Sequence, residues 1–392
     1  MLHTAYGAGG TIRTVFNQAN ALCEDHDVEI ASVYRTRDVP AFPLDPRVRL
    51  VPLTDLRSDG SARPSGAGRS ARLLGAARRF TNPMPHRHDF PYKQWDPRVD
   101  AAIIRYFRRQ RDCVLVTTRP ALNLLSAWFA PKRVIRVAQD HMNLGSYKPW
   151  LRDAVVRAYP RLDAVTVLTE HDREDWLNVL GHRPLRLECI PNGIPPWPYP
   201  PAALDAPVLV AAGRLGRQKG FDLLLDAYAL VRERHPDWRL DIYGGGDWQD
   251  RLTAQIESLG LTGAARLCGT TRELDRVFTE AGMYVLSSRK EGLPMVLLEA
   301  MTAGLPPVAF DCPTGPAEVI HDGVDGLLVP REDPAALAAG ICRLIEDPQA
   351  RRAMGAAARR TSERYSMPVV REAWEKLFAS LVADRQAAGT HA

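Results

Sequence analysis

The feature that most constrains the fold is a regular alternation of short apolar runs with helix-compatible segments in the second half of the chain. Apolar runs typical of buried strands begin near residues 208, 240, 266, 283 and 307, and a helix-compatible segment follows each of them. Alternation at this spacing favours a parallel sheet with right-handed crossovers. We therefore expect ligands to bind where strands end and loops lead into helices.

One of these strand–loop–helix units carries two carboxylates. The apolar strand Met283–Leu286 leads into a turn at Glu291, and Pro294 suits the first position of the following helix, which also contains Glu299. The free N–H groups at the start of such a helix attract anions such as phosphate. Two carboxylates beside a phosphate-attracting helix end indicate a nucleotide-sugar site. The alternative is a surface helix with two solvated acids.

A second unit supplies positive charge. The predicted strand Val208–Ala212 leads into a glycine-bearing loop, residues 213–220, which contains Arg214 and Lys219. Arginine offers planar, forked donors and lysine a mobile point charge, so this pair fits a diphosphate clamp. Only six of the 51 basic residues are lysines, so a lysine in this loop is less easily explained by the overall composition. The alternative is a basic surface loop.

These stretches, in this order, resemble family 4 of the retaining glycosyltransferases. The resemblance covers nearly the whole chain and is strongest over 208–330. It implies an α/β fold of two facing Rossmann-like domains (GT-B type), with the active site in the interdomain cleft and a C-terminal helix that crosses back to the first domain. The motifs that carry it are Gly7-Ala8-Gly9-Gly10, Gly213-Arg214-Leu215 with Lys219-Gly220, Tyr243-Gly244-Gly245-Gly246, Glu291-Gly292-Leu293-Pro294, and Leu298-Glu299-Ala300-Met301.

The resemblance also implies roles for individual residues. Arg214 and Lys219 would stabilise the diphosphate leaving group, Glu291 would hold sugar hydroxyls, and Glu299 would hold the ribose. His141 follows the predicted strand 134–138 and would bind the sugar from the opposite domain, although a loop or helix-capping histidine is the alternative. The remaining donor-binding positions implied are Gly9, Gly10, Gly246, Gly292, Leu293 and Pro294.

The reaction expected from the resemblance is transfer of a hexose from a UDP- or GDP-sugar, with retention at the anomeric carbon. The acceptor would be a hydroxyl of a glycan, lipid-linked or polymer molecule. We expect no cofactor and no bound metal, because the two cations of the 213–220 loop supply the charge that a metal would bring. Two alternatives remain, namely an inactive nucleotide-sugar-binding homologue and a sugar-nucleotide epimerase of the same fold.

A proline-rich stretch marks the predicted domain boundary. Residues 191–207 hold seven prolines, and we interpret them as a linker. The predicted first, acceptor-side domain is then 1–190, and the nucleotide-sugar-binding domain is 208–365. The final segment, 366–392, is predicted to be an amphipathic helix that packs back on the first domain.

The first predicted strand is unusually short. Only Leu2–Ala5 precedes the glycine loop, and two of these four residues are apolar. A central parallel strand is buried on both faces and normally forms a longer apolar run. We therefore hypothesise that the natural start of the chain lies upstream.

A basic segment suggests an anionic partner. Residues 60–111 contain twelve basic and three acidic residues, and we interpret 63–111 as a contact for an anionic polymer or a membrane surface, with an arginine-rich solvated loop as the alternative. The net charge of +5 is mild, and we expect no nucleic-acid partner.

The six cysteines show no close pairing and are predicted to be reduced core thiols. There is no run of eighteen apolar residues, and we expect a cytoplasmic protein, peripheral at the inner membrane face if the basic segment contacts lipid.

Overall fold

The computed structural model describes residues 1–7, 9–57, 89, 97–181 and 185–390. The chain divides into two compact units. The first contains Met1–Leu168, Asp172–Ile190 and Arg371–Ala392, and the second contains Thr169–His171 and Pro191–Val370. All strand pairs in the described ranges are parallel, as the alternation of apolar runs and helices predicts.

The strands up to residue 190 form two sheets, with orders β1-β2-β3 and β4-β5-β6-β7. These strands are β1 (Leu2–Thr4), β2 (Glu29–Arg35), β3 (Arg49–Asp55), β4 (Val114–Thr117), β5 (Ile135–Gln139), β6 (Ala164–Val167) and β7 (Arg186–Cys189). The helices between them are α1 (Gly10–Leu22), α2 (Pro97–Arg109), α3 (Pro120–Phe129), α4 (Pro149–Ala158) and α5 (Glu170–Leu180).

The second unit contains one six-stranded sheet of order β10-β9-β8-β11-β12-β13. Its strands are β8 (Val208–Ala212), β9 (Arg239–Tyr243), β10 (Ala265–Gly269), β11 (Met283–Leu286), β12 (Pro307–Phe310) and β13 (Leu327–Val329). Its helices are α6 (Phe221–Arg234), α7 (Gln249–Ser258), α8 (Leu274–Thr279), α9 (Met295–Thr302), α10 (Pro316–Val319), α11 (Pro334–Glu346) and α12 (Pro348–Ser362).

The strand order of the second unit fixes where a ligand is expected. Strands β8 and β11 are neighbours at the centre of the sheet, and every residue in both is buried. The chain winds outward from β8 through β9 to β10, and then from β11 through β12 to β13 in the other direction. The reversal between β8 and β11 is the switch point at which α/β sheets bind ligands at the carboxyl ends of their strands.

The last helix, α13 (Met367–Thr390), joins the first unit from Arg371 onward. The guanidinium of Arg371 contacts the carboxylates of Glu24 and Asp25, and Arg385 donates to Asp163 at 2.8 Å. Trp374 on the same helix is almost completely buried. Apolar burial and charge pairing therefore both hold this helix to the first unit.

Two details differ from the sequence predictions. Pro294 is the N-cap residue of α9 rather than its first helical residue, with φ of −78° and ψ of 89°. Cys268 is an exposed thiol rather than a core one, because β10 is the edge strand of its sheet. Helix α13 occupies Met367–Thr390 of the predicted final segment, 366–392. Of the predicted anionic contact at 63–111, residues 63–88 and 90–96 lie outside the described residues.

Candidate active site

The loop after β8 carries the two predicted cations. Residues Arg217–Lys219 form a short 3-10 turn, and Gly220 ends it with φ of +63° before α6 begins. A Cβ atom at Gly220 would lie 2.0 Å from the carbonyl oxygen of Ser287, in the loop after β11. Only glycine allows this backbone conformation and this close approach together, so the two loops meet at the switch point.

Lys219 and Glu291 meet directly across these two loops. Lys219 Nζ donates to Glu291 Oε1 at 2.7 Å, and the Ser288 hydroxyl donates to the same carboxylate oxygen. The two side chains are 21% and 7% exposed, so the pair is largely removed from water. A carboxylate removed from water needs such donors to replace its lost hydration. The structure thus brings together two residues that the sequence predicts separately, one as part of a diphosphate clamp and the other for sugar hydroxyls.

The backbone after Glu291 is fixed by the loop that follows β12. The Thr314 hydroxyl donates to the Glu291 carbonyl oxygen, and a Cβ at Gly315, where φ is +85°, would lie 1.8 Å from the Gly292 carbonyl oxygen. Pro294 itself makes no side-chain capping hydrogen bond to α9. The first N–H groups of this eight-residue helix therefore follow a loop held by the β12 loop and can bind an anion.

Glu299 lies in the second turn of α9 and is 6% exposed. Burial raises the pKa of the Tyr284 hydroxyl, and the nearby charges of Glu291 and Glu299 raise it further. Both predicted carboxylates therefore lie close enough to Tyr284 to act on the same phenol. The sequence spacing predicts that Glu291 and Glu299 line the same side of the site. In the structure both carboxylates lie near Tyr284.

The glycine loop after β9 packs on the loop after β8. A Cβ atom at Gly246 would lie 2.2 Å from the Leu215 carbonyl oxygen, and Leu215 N donates to the Gly245 carbonyl oxygen at 3.0 Å. Arg214 pairs with Asp247 at 3.1 Å, where both side chains are at least 75% exposed. Exposed pairs of this kind contribute little stability, so the Arg214 guanidinium can exchange this partner for an anionic ligand.

Gly9 and Gly10 begin α1 in the first unit. Gly9 is the N-cap residue, with an extended backbone, and its carbonyl oxygen accepts from Ile12 N at 3.1 Å. A Cβ at Gly10 would meet no atom of the described residues within 4 Å. Packing among these residues does not require glycine at position 10, and the space beside it is open to the predicted ligand.

His141 follows β5 in the first unit. Burial, assisted by Arg119, lowers its pKa to about 4, so the imidazole is neutral at pH 7. Its Nε2 atom is buried and has no hydrogen-bond partner within the described residues. A neutral imidazole with one uncommitted nitrogen can exchange a hydrogen bond with a hydroxyl group.

Asp140, beside His141, was missed from the sequence. Its carboxylate accepts from the Tyr147 hydroxyl at 2.5 Å and from Met142 N at 3.2 Å. Burial raises its pKa to about 7. The signal in the sequence is that Asp140 is an acidic residue directly after a predicted strand. Its burial and its contact with Tyr147 depend on tertiary packing, which the local sequence does not show.

The sequence contains one Asp-x-Asp triplet, Asp25-His26-Asp27, of the kind that metal-dependent transferases use. It lies in the exposed turn after α1, where Asp25 contacts Arg371 of α13. The Asp25 carboxylate is thus engaged in holding the last helix.

Two family models match consecutive parts of the chain. Glycosyltransferase Family 4 matches residues 8–197, and Glycosyl transferases group 1 matches residues 200–361. The boundary between the two matches falls within the proline-rich stretch.

Two curated relatives cover most of the chain. An exopolysaccharide phosphotransferase of Streptomyces coelicolor is 38% identical over 96% of this chain, which spans 40% of that protein's length. An amylovoran biosynthesis glycosyltransferase of Erwinia amylovora is 30% identical over 70% of this chain and 80% of its own length.

Solved structures share the fold over almost the full chain. Sucrose-phosphate synthase from Thermosynechococcus elongatus superposes with a TM-score of 0.75 at 19% identity, covering 98% of both chains. Anabaena HepE in complex with UDP and glucose gives a TM-score of 0.72 at 17% identity, covering 97% of this chain and 98% of its own. These similarities confirm the predicted α/β, GT-B fold class.

Proposed function

The chain belongs to the glycosyltransferase family described by the family 4 and group 1 models, and from that membership we propose that it transfers a hexose from a nucleotide-diphosphate sugar. The observation that carries the proposal is the Lys219–Glu291 pair at the switch point of the second sheet. The pair sets a cation for a diphosphate beside a carboxylate for sugar hydroxyls, at the start of an anion-attracting helix.

The proposed reaction breaks the bond between the anomeric carbon and the β-phosphate oxygen of the donor. The acceptor oxygen forms the new bond to the anomeric carbon, and its proton passes to the leaving β-phosphate oxygen as the nucleoside diphosphate departs. Negative charge grows on the leaving phosphate, where Lys219, Arg214 and the first N–H groups of α9 stabilise it. Retention at the anomeric carbon is part of the proposal and requires no protein nucleophile.

The remaining residues would bind the rest of the donor. Glu299 would accept from ribose hydroxyls and Glu291 from sugar hydroxyls. A neutral His141 suits a sugar hydroxyl better than a phosphate. Backbone N–H groups from three loops would contact the sugar or the diphosphate, namely those of Gly9, Gly10, Gly246, Gly292 and Leu293. Pro294 lacks an N–H and would contribute only by placing the start of the helix beside the donor.

For the acceptor we propose a bacterial exopolysaccharide or its lipid-linked precursor. The names of the two curated relatives, which refer to exopolysaccharide and to amylovoran biosynthesis, support this choice. UDP is favoured as the nucleotide by the UDP-bound HepE neighbour, and GDP remains the alternative.

Helix α2 is the described part of the proposed anionic contact. It buries Val99, Ile103 and Phe107, and turns Arg105, Arg108 and Arg109 toward solvent. We propose that this face contacts an anionic acceptor or the headgroups that carry it. No helix in the described ranges is long and apolar enough to span a membrane.

The test is to incubate the purified protein with UDP- and GDP-hexoses, with and without a lipid-linked glycan fraction, and to identify the nucleotide released. Hexosyl transfer releases UDP or GDP, whereas transfer of a sugar phosphate would release UMP or GMP and contradict the proposal. Interconversion of donor sugars without an acceptor would indicate an epimerase. Donor binding with no product would indicate an inactive homologue. The anomeric coupling constant of the product, measured by NMR, decides retention.

A further inference from the structure

Arg289, in the loop after β11, makes an unusually complete set of contacts. Its two terminal nitrogens donate to both oxygens of the Asp222 carboxylate at 2.8 and 2.9 Å, and Nε donates to Glu332 at 3.1 Å. Arg289 and Asp222 are only 16% and 14% exposed, so the two-pronged pair is shielded from water. Forked pairs of this kind fix geometry as well as charge.

The same guanidinium holds the turn that carries Lys219. Its NH1 also donates to the Arg217 carbonyl oxygen at 2.8 Å, and Arg289 N donates to the Gln218 carbonyl oxygen at 2.8 Å. The Gln218 side chain returns a hydrogen bond to the Lys290 carbonyl oxygen at 3.0 Å. Each contact joins residues 217–218 to residues 289–290, which come directly before Lys219 and Glu291 in their loops.

Arg289 has four of its five side-chain N–H directions committed to protein partners, which leaves little capacity to bind a phosphate. Asp222 lies in the first turn of α6, and Glu332 lies after β13 with φ of +57°, a costly conformation for a residue with a side chain. The guanidinium therefore joins the β8 loop, the β11 loop, α6 and the segment after β13.

We propose that Arg289 is a positioning residue for Lys219. It locks the Arg217–Lys219 turn against the β11 loop, so that Lys219 Nζ stays beside Glu291 and is held ready for the donor diphosphate. The inference rests on the proposed function and goes beyond it by assigning the preorganisation of the cation to a residue that does not contact the donor.

The experiment is a double-mutant cycle that measures UDP affinity by calorimetry, with GDP as the probe where the wild type does not bind UDP. Arg289→Met is expected to weaken nucleotide binding by about 10-fold or more, and turnover with the matching donor by a similar factor. In a Lys219→Met background the same change should weaken binding by less than about 2-fold, because it acts only through Lys219.

Two further variants separate positioning from folding. Arg289→Met alone leaves the shielded Asp222 carboxylate without its partner, which could destabilise the fold. Adding Asp222→Asn removes that unpaired charge, and the double variant should still bind nucleotide more weakly than the wild type. Arg266→Met is the matched control, since Arg266 of β10 makes a two-pronged pair with Asp241 of β9 at 2.7 Å, within the strands rather than in the loops of the candidate site. Its nucleotide affinity should remain within about 2-fold of the wild type.

The proposal is overturned if Arg289→Met lowers nucleotide affinity equally in the wild-type and Lys219→Met backgrounds. It is also overturned if Arg266→Met lowers nucleotide affinity as much as Arg289→Met does. If Lys219→Met itself leaves nucleotide affinity unchanged, the proposed diphosphate clamp fails first. If Lys219→Met weakens binding and Arg289→Met does not, only the positioning role fails.

Discussion

Lys219 Nζ lies 2.7 Å from Glu291 Oε1, although the two residues are 72 positions apart in the sequence. Each belongs to a loop at the carboxyl end of a central strand, and the strand order makes those strands neighbours. An ammonium held by a carboxylate is already desolvated and oriented before the ligand arrives. A donor diphosphate can then bind the ammonium without first ordering a long, flexible side chain, whose immobilisation would otherwise cost entropy.

We expect Lys219→Ala and Arg214→Ala each to lower turnover about 100-fold or more. Each change removes a cation whose attraction grows as the leaving phosphate gains charge. The measurement is the initial rate of nucleoside diphosphate release by purified, folded variants. Lys376→Ala is the control, because Lys376 is an exposed lysine on α13 that pairs with Glu372. Near wild-type rates for both loop variants would exclude the clamp.

Glu299→Gln should weaken binding of the free nucleotide and of the sugar nucleotide alike, because the ribose is common to both ligands. Glu291→Gln should spare the free nucleotide and weaken only the sugar nucleotide. Glutamine keeps an oxygen that can accept from Lys219, so the second change removes charge with little loss of geometry. Calorimetry with both ligands makes the comparison. If each variant loses both ligands equally, the division of roles is wrong.

Gly220→Ala should lower both stability and turnover. Alanine is strained at φ of +63°, and its Cβ would also meet the Ser287 carbonyl oxygen at 2.0 Å. Gly260→Ala isolates the first effect, since Gly260 has φ of +67° and open space around it. We expect a cost of about 1 kcal/mol at Gly260 and clearly more at Gly220, measured by chemical denaturation. Equal costs would show that the loops separate readily.

Local patterns predicted the elements well, because apolar runs and amphipathic segments report directly on burial. The predicted strands Val208–Ala212 and Met283–Leu286 have the observed ends, the predicted strand 134–138 differs from β5 by one residue, and the glycine loops fall at the strand ends. The Arg289–Asp222 pair spans 67 positions, and nothing in the local pattern of either residue indicates the other. Cys268 was misjudged for a related reason, since its exposure depends on β10 being an edge strand and therefore on topology.

Turnover should survive treatment with EDTA. The reason is that Lys219, Arg214 and the start of α9 together supply positive potential for a leaving diphosphate. The measurement compares initial rates before and after chelation, followed by addition of Mg²⁺ or Mn²⁺. Loss of activity that either metal restores would contradict the prediction and direct attention to Asp25-His26-Asp27, in which Asp25 pairs with Arg371.

Asp140→Asn should stabilise the protein by an amount that depends on pH. Burial raises the folded-state pKa of Asp140 to about 7, from an ordinary value of 3.8. Between these values the folded state binds more protons than the unfolded state, so this group makes stability fall as pH rises from about 4 to about 7. Asparagine does not ionise, and its side-chain oxygen can still accept from the Tyr147 hydroxyl.

The measurable quantity is the melting temperature of the Asp140→Asn variant minus that of the wild type. This difference should be smallest near pH 4, increase up to about pH 7 and then level off, with a total rise of at least about 3 °C.

Titration of His141 falls in the same pH window, because its pKa is lowered from 6.5 to about 4, and this titration makes stability fall as pH decreases. Since His141 is present in both proteins, its effect largely cancels in the difference. Asp153→Asn, at an exposed position of α4, controls for loss of a carboxylate elsewhere. A flat difference for Asp140→Asn across this range would show that Asp140 is already ionised in the folded protein at pH 4, with Tyr147 and Met142 N compensating fully for its burial.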